Sequence, residues 1–319
     1  MPIGVIGLGK VGTGLVSNLD TAGYDVYGFD IDAAACNRGR DHGATVMEDA
    51  ESVAARAEEI FLSLPHPDAS RAAVEAIVEA GRPGTAIFDT STLSPVTAVD
   101  LAEAAEAADM QYFDAPITGG EVGAKAGELT VMIGGDPDAI RDRVDVLSTV
   151  ASEVYHIGEV GDGQFVKLVH NHVGQTTLII FVEGLLMAAE WGVDPATLYR
   201  TLRYWTSIYD DKLDGFFSNE FEADYVDHFA AGIDEDDVYR NRFNLDVAHK
   251  DLVELTSLAD TLDAYLPLGH FVEQMHREGV NAGWGDRPHP DLLQFYAGMF
   301  DTSIESRPET RAKSEGQLL

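Results

Sequence analysis

The sequence predicts an α/β chain, a doubly wound and mostly parallel sheet followed by an all-α C-terminal domain, and three observations carry that prediction. Short β-rich runs alternate with alanine-rich amphipathic segments through the first half. A glycine turn joins the first run to a helix-like stretch. Beyond Gly163 the apolar periodicity becomes that of long helices, with no convincing strand up to about Phe300.

In order, IGVIGL (3–8) is the first strand, a helix runs to about Ala22, and YDVYGFD (24–30) is the second strand, which closes one βαβ unit. EIFLSLP, TAIFDT, MQYFDAP and LTVMIGG supply further strands, separated by amphipathic segments such as 69–80 and 96–108. Helices are expected over 164–191, 195–205, 243–260 and 266–278. Residues 206–242, with DEDD at 234–237, form an irregular or partly helical insertion, and 301–319 form a polar, frayed tail. The expected domains are residues 1–162 and 163–300. A length of 319 residues is ample for about two hydrophobic cores.

The formal charge is −34, from 55 acidic against 21 basic residues. Such a surface repels phosphate backbones and anionic lipid, so neither a nucleic-acid nor a membrane partner is expected. The acids are interleaved with periodic apolar positions, which separates them from a disordered acidic tail. They read as the solvated surface of a halophilic protein, whose self-repulsion concentrated salt screens. The single cysteine, Cys36, excludes an intramolecular disulfide and suits a reducing cytoplasm. No signal peptide is read at MPIGVIGLG, and no apolar run approaches membrane-spanning length; 173–189 is read as a buried helix, interrupted by Gly174, Gln175 and Glu183.

The first chemical motif is GLGKVG. Gly7, Leu8, Gly9, Lys10, Val11 and Gly12 follow a strand and open a helix, and Asp30 stands eighteen residues after Gly12 at the end of the second strand. That context makes a Rossmann-like dinucleotide site of an otherwise weak pattern. Gly7 permits the turn, Gly9 lets the backbone approach a pyrophosphate, and Gly12 allows close helix packing, which leaves helix N–H groups aimed at the anion. Asp30 would accept from ribose hydroxyls and repel a 2′-phosphate. NAD is therefore expected ahead of NADP, with Arg38 and Arg40 well down the next helix.

The second motif is GQFVKLVHNHV (163–173). Lys167 and Asn171 share a helical face, with His170 alongside. A snorkelling lysine would explain this much. A desolvated lysine is also easier to deprotonate, which suits general acid–base work. His170 and His172 point to different helix faces, and no metal site is expected there.

Five blocks, GLGKVGTGLVSNL, DTSTLSP (89–95), FDAPITGGEVGAKAGELTVMIGG (113–135), GDGQFVKLVHN (161–171) and HKDLVEL (249–255), stand in the order found in the β-hydroxyacid dehydrogenases. The chain resembles that family over nearly all of residues 3–300. The resemblance implies an NAD-dependent oxidoreductase exchanging hydride between NAD and a small 3-hydroxy acid or its semialdehyde, assembled as a homodimer or homotetramer. It implies that Lys167 transfers the proton and that Asn171 orients substrate. Thr118, Gly119 and Gly120 match the substrate loop, with threonine where serine is common. Leu64, Pro65, Ser91 and Thr92 fall on the cofactor side, and Lys250 and Asp251 resemble the pair that closes over it. His170 resembles the histidine of the 6-phosphogluconate branch, yet Gly174 stands where that branch places a second acid, which favours simple oxidation over oxidative decarboxylation. An imine reductase or a non-catalytic nucleotide sensor of the same fold would not be expected to keep both Lys167 and Asn171.

Overall fold

The computed structural model describes residues 1–194, 197, 198, 201 and 244–299. The 206–242 insertion, most of the helix expected at 195–205 and the tail at 301–319 lie outside the described residues. The chain divides into two compact units, residues 1–171 with 257–264, and residues 172–256 with 265–319.

In the first unit the elements run β1 (Pro2–Ile6), α1 (Lys10–Thr21), β2 (Asp25–Phe29), α2 (Ala33–Asp41), β3 (Thr45–Val46), α3 (Ala50–Ala54), β4 (Glu59–Leu62), α4 (Pro67–Ala80), β5 (Ala86–Asp89), α5 (Pro95–Glu106) and β6 (Gln111–Asp114). The sheet order β3-β2-β1-β4-β5-β6 is parallel throughout, the doubly wound arrangement in which ligands bind beyond the carboxyl ends of the strands. The central strands are short, largely apolar runs because helices cover both faces, with carboxylates only at their ends, at Glu59, Asp89 and Asp114. Phe61, Phe88 and Phe113 sit in register on β4, β5 and β6, and their rings stack at 5.0 and 5.1 Å. Caps set the helix starts: the Asp32 carboxylate accepts from Ala34 and Ala35 N–H, and Ser94 Oγ accepts from Thr97 N–H ahead of Pro95.

The sheet then departs from the parallel pattern. β7 (Ile117–Thr118), α6 (Gly120–Ala126), β8 (Leu129–Gly134), α7 (Pro137–Arg141), α8 (Val144–Val150) and β9 (Ala151–Gly158) follow. β8 is antiparallel to β6 and β7, and parallel to β9. The sequence reading did not anticipate β3, β7 or β9. The first two are two residues long. β9 carries Ser152, Glu153 and His156 in its middle and starts at the residue after α8, with no turn between to mark it.

α9 (Asp162–Trp191) is one unbroken helix of 30 residues. By length and hydropathy alone it would cross a membrane, a point the sequence reading missed by counting only uninterrupted apolar runs. In the second unit Leu178, Ile179, Phe181, Val182 and Leu185 from α9 form a core with Leu245 and Leu252 of α10 (Leu245–Thr261), Val272 of α11 (Pro267–Gly279), and Leu292, Leu293 and Tyr296 of α12 (Leu292–Met299). A π-helical turn (Val280–Trp284) and a short 3-10 turn (His289–Asp291) connect α11 to α12.

Candidate active site

The glycine motif has three distinct local causes. Gly7 holds φ at +95°, which places it in left-handed backbone. A Cβ on Gly12 would overlap the carbonyl oxygen of Gly7, so the helix sits directly on the turn. A Cβ on Gly9 would meet nothing within 4 Å: this residue is demanded by no protein neighbour, and the space over it is open. The first-turn N–H groups of any helix have no intrahelical acceptors, and Gly9, the N-cap of α1, gives that helix no side-chain cap. An open approach to the positive end of a helix fits a pyrophosphate.

Asp30 is fixed by the same turn. Leu8 N–H donates to Asp30 Oδ2 at 2.7 Å and Asp32 N–H to Oδ1 at 2.8 Å. The carboxylate edges a cleft of about 520 Å³ whose walls include Cys36, Asn37, Arg40, Met47 and Glu48. Here the sequence reading needs amending, because Arg40 reaches this cleft, its guanidinium donating to Asn37 Oδ1 at 2.7 Å, while Arg38 lies 3.9 Å from Asp32. The cleft thus offers two carboxylates against one guanidinium.

Lys10 pairs with Glu121 at 3.6 Å, and Lys125 with the same carboxylate at 2.6 Å. Glu121 lies on α6, which packs close on α1: Asn18 Nδ2 donates to Ala124 O at 2.7 Å. The loop that opens α6 is Thr118-Gly119-Gly120, and φ is +113° at Gly119 and +56° at Gly120. Thr118 Oγ1 lies 3.3 Å from His170 Nε2. Burial, and then the nearby Lys167 charge, lower the His170 pKa to about 4, so the imidazole is neutral near pH 7. Lys167 is 8% exposed. The Thr118 hydroxyl, a neutral imidazole and a buried lysine therefore meet in one place in the first unit.

Leu64 N–H donates to Ser91 Oγ at 3.0 Å, which joins the loop after β4 to the loop after β5. Pro65 is exposed and Thr92 half-buried. Lys250 belongs to the second unit, where its Nζ lies 2.9 Å from Asp251 Oδ1.

Comparisons with known proteins bear on the family and the fold. Residues 2–158 match the NAD binding domain of 6-phosphogluconate dehydrogenase. The chain is 28% identical over 305 residues to 2-(hydroxymethyl)glutarate dehydrogenase of Eubacterium barkeri, covering 95% of this chain and 97% of that one. The structure of Mycobacterium tuberculosis 3-hydroxyisobutyrate dehydrogenase with L-serine superposes with a TM-score of 0.79 at 26% identity, over 92% of this chain and 98% of that one. A probable 3-hydroxyisobutyrate dehydrogenase of M. tuberculosis is 33% identical over 197 residues, which are 62% of this chain and 67% of that protein. The chain belongs to the β-hydroxyacid dehydrogenase family. It is an oxidoreductase of that family with a Rossmann-like dinucleotide-binding domain.

Two residues of this dehydrogenase that the sequence reading did not single out hold α9 in place. Asp114, at the end of β6, is fully buried; Oδ1 accepts from Gly161 N–H at 3.0 Å and Oδ2 from Gln164 N–H at 2.8 Å. A Cβ on Gly163 would crowd Asp114 and Met132 O, which explains the glycine before Gln164. Burial raises the Asp114 pKa to about 7 against these two donors. Gln164 is equally buried, and its side chain ties α9 to Ser91 and Leu93. The signal in the sequence was the aspartate of FDAP: a carboxylate in an otherwise apolar strand run needs partners. Asp89 ends β5 in the same way, taking Ser91 N–H and the Tyr112 hydroxyl, and burial raises its pKa.

Proposed function

We propose that the protein reversibly oxidises the hydroxymethyl group of a small acid in which that group and the carboxylate share one carbon. The named relatives support this class, since 3-hydroxyisobutyrate, 2-(hydroxymethyl)glutarate and L-serine all carry the CH₂OH–C–COO⁻ unit. The observation that carries it is the burial of Lys167 beside His170 and Thr118.

A dinucleotide held by its pyrophosphate at the Gly7–Gly12 turn would supply, through its nicotinamide, a hydride acceptor for the carbinol carbon. Lys167 in its deprotonated form takes the hydroxyl proton as the C–H bond breaks and the C=O bond forms, and returns it in the reverse direction. Thr118 and the N–H groups of Gly119 and Gly120 hold the carboxylate, and Asn171 orients the hydroxyl. Neutral His170 adds a hydrogen-bonding partner for Thr118 without adding charge. Gly174 has no side chain to protonate an enol, so the semialdehyde leaves without loss of CO₂.

Further readings concern setting. The two carboxylates of the adenosine-side cleft favour NAD over NADP. Exposed Phe165, Val169, Val173, Ile180, Met187 and Trp191 recur every three to four residues or a multiple along α9, a stripe suited to a second copy of the chain. The charge of −34 fits work in concentrated salt within a cytoplasm. One experiment addresses all of these: a screen of the three acids with NAD and NADP, in dilute buffer and at molar salt, with mass followed by light scattering. Turnover of at least one of the acids is expected, faster with NAD, higher at molar salt and carried by a dimer or larger species. No turnover of any of them under any condition would overturn the reading.

A further inference from the structure

Gln164 occupies the first turn of α9, three residues before Lys167, and is 0% exposed. Its amide is engaged at both ends. Oε1 accepts from Leu93 N–H at 2.9 Å, and Nε2 donates to Ser91 O at 2.8 Å. The partners fix which end is which, because a flipped amide would set oxygen against carbonyl and nitrogen against N–H. The backbone of the same residue is held by Asp114. Ser91 is in turn tied to Leu64 through its hydroxyl. One side chain therefore grips two points of the 91–93 loop, and its own helix is pinned from behind. A packing role would require neither bond, since methionine fills a similar volume. Two bonds from one planar group set both the distance and the orientation of the loop against the lysine turn.

We infer that Gln164 is a positioning residue for hydride transfer. It keeps the Ser91–Leu93 loop, against which the nicotinamide would lie, in register with Lys167, so that the hydride acceptor and the proton acceptor address one carbinol together. The inference rests on the reading of Lys167 as the proton-transfer group. Misplacement by about 1 Å costs on the order of 100-fold in rate.

Gln164→Glu tests this. A protonated glutamic acid restores both contacts, with its O–H donating to Ser91 O and its carbonyl accepting from Leu93 N–H. The ionised form keeps only the second and turns an unprotonated oxygen toward a carbonyl. Burial and that carbonyl both oppose ionisation. The ratio of variant to wild-type kcat should therefore stay within about three-fold at low pH and fall about 10- to 100-fold as pH rises through the new group, with KM values changed less than about three-fold. Gln164→Met should lower the ratio by a similar factor at every pH. Amide exchange at Leu93 is the readout that needs no turnover: it should quicken in Gln164→Met, and in Gln164→Glu only once the carboxyl ionises. Quickened exchange with unchanged kcat would overturn the inference, as would a lower melting temperature with a flat ratio near one, or variants that cannot be recovered folded. The underlying reading fails separately: if Lys167→Arg turns over like wild type while the Gln164→Glu ratio still bends with pH, the lysine assignment falls and the loop grip stands.

Discussion

The first unit buries carboxyls at the ends of adjacent strands, whereas the second, which also buries Asp194, Asp251 and Glu273, buries a pair of imidazoles. Asp89 and Asp114 end adjacent strands of the sheet and spend their oxygens on backbone N–H groups and a tyrosine hydroxyl. In the second unit His276 is 0% exposed and His289 7%, with their Nε2 atoms 2.9 Å apart. Buried acids at strand ends are acceptors that gather loop N–H groups, and the candidate active site is assembled on those loops. The histidine pair instead joins α11 to the turn before α12, a purely internal seam. Chemistry and seam can thus be perturbed one at a time.

Two of the chain's lysines give the largest test of that division. Lys167 is buried in the first unit, and Lys250 is paired with Asp251 in the second. Lys167→Arg and Lys167→Met should each lower kcat by about two to four orders of magnitude with dinucleotide affinity little changed. Arginine is the sharper replacement, because it keeps the charge and cannot release its proton near neutral pH. Lys250→Arg should cost less than about ten-fold, chiefly in KM. Steady-state kinetics with a hydroxyacid read both, and a reversed ranking would move the proton acceptor to the second unit.

Within the first unit, Gly9 and Gly12 separate binding from folding. Gly12→Ala drives a Cβ into the Gly7 carbonyl and should cost about 1–3 kcal/mol or more in stability. Gly9→Ala meets no protein atom and should melt like wild type, yet bind dinucleotide about 10- to 100-fold more weakly as the methyl blocks the approach to the helix N-terminus. Calorimetric melting and titration with NAD distinguish the two. Equal melting temperatures for both variants would break the assignment of separate roles.

These contrasts also mark what was legible in the sequence. The parallel core was legible because strands buried on both faces must be short, largely apolar runs, and EIFL and AIFD are so apart from Glu59 and Asp89 at their ends. The glycine motif was legible because its spacing answers to sterics within six residues. β9 was hidden because its middle is polar and no turn precedes it. Asp114 and Gln164 were hidden for another reason: their partners stand 47 to 73 residues away, and no local pattern encodes a contact at that range. The reach of Arg40 into the cleft is local by contrast, since the walls all come from residues 29–48.

The smallest effect expected is also the one that sets the two units against each other directly. His276 Nδ1 lies 2.8 Å from the Val272 carbonyl and must carry the proton there, so its Nε2 is the acceptor and His289 Nε2–H the donor. Burial, with the nearby His249 acting in the same direction and the Val272 and Glu273 oxygens opposing it, lowers the His276 pKa to about 4 from the ordinary 6.5. Between those values the unfolded chain binds a proton that the folded unit refuses, so stability from this group is complete above about 6.5 and is lost as pH falls toward 4. Asp114 has the opposite sign. Its folded pKa of about 7 lies above the ordinary 3.8, so its contribution is complete below about 3.8 and is lost as pH rises through 7. Acidifying from pH 7 to pH 5 should therefore slow amide exchange at Phe88 and Phe113 relative to Asp114→Asn, a comparison that cancels the opposing contribution of His170 in the same unit, and quicken it at Val272 and Met275 relative to His276→Gln, after correction for intrinsic rates. A shift of the same sign in both units would mean that they open as one cooperative block, and the contrast between buried acids and buried imidazoles would then have no separate consequence for stability.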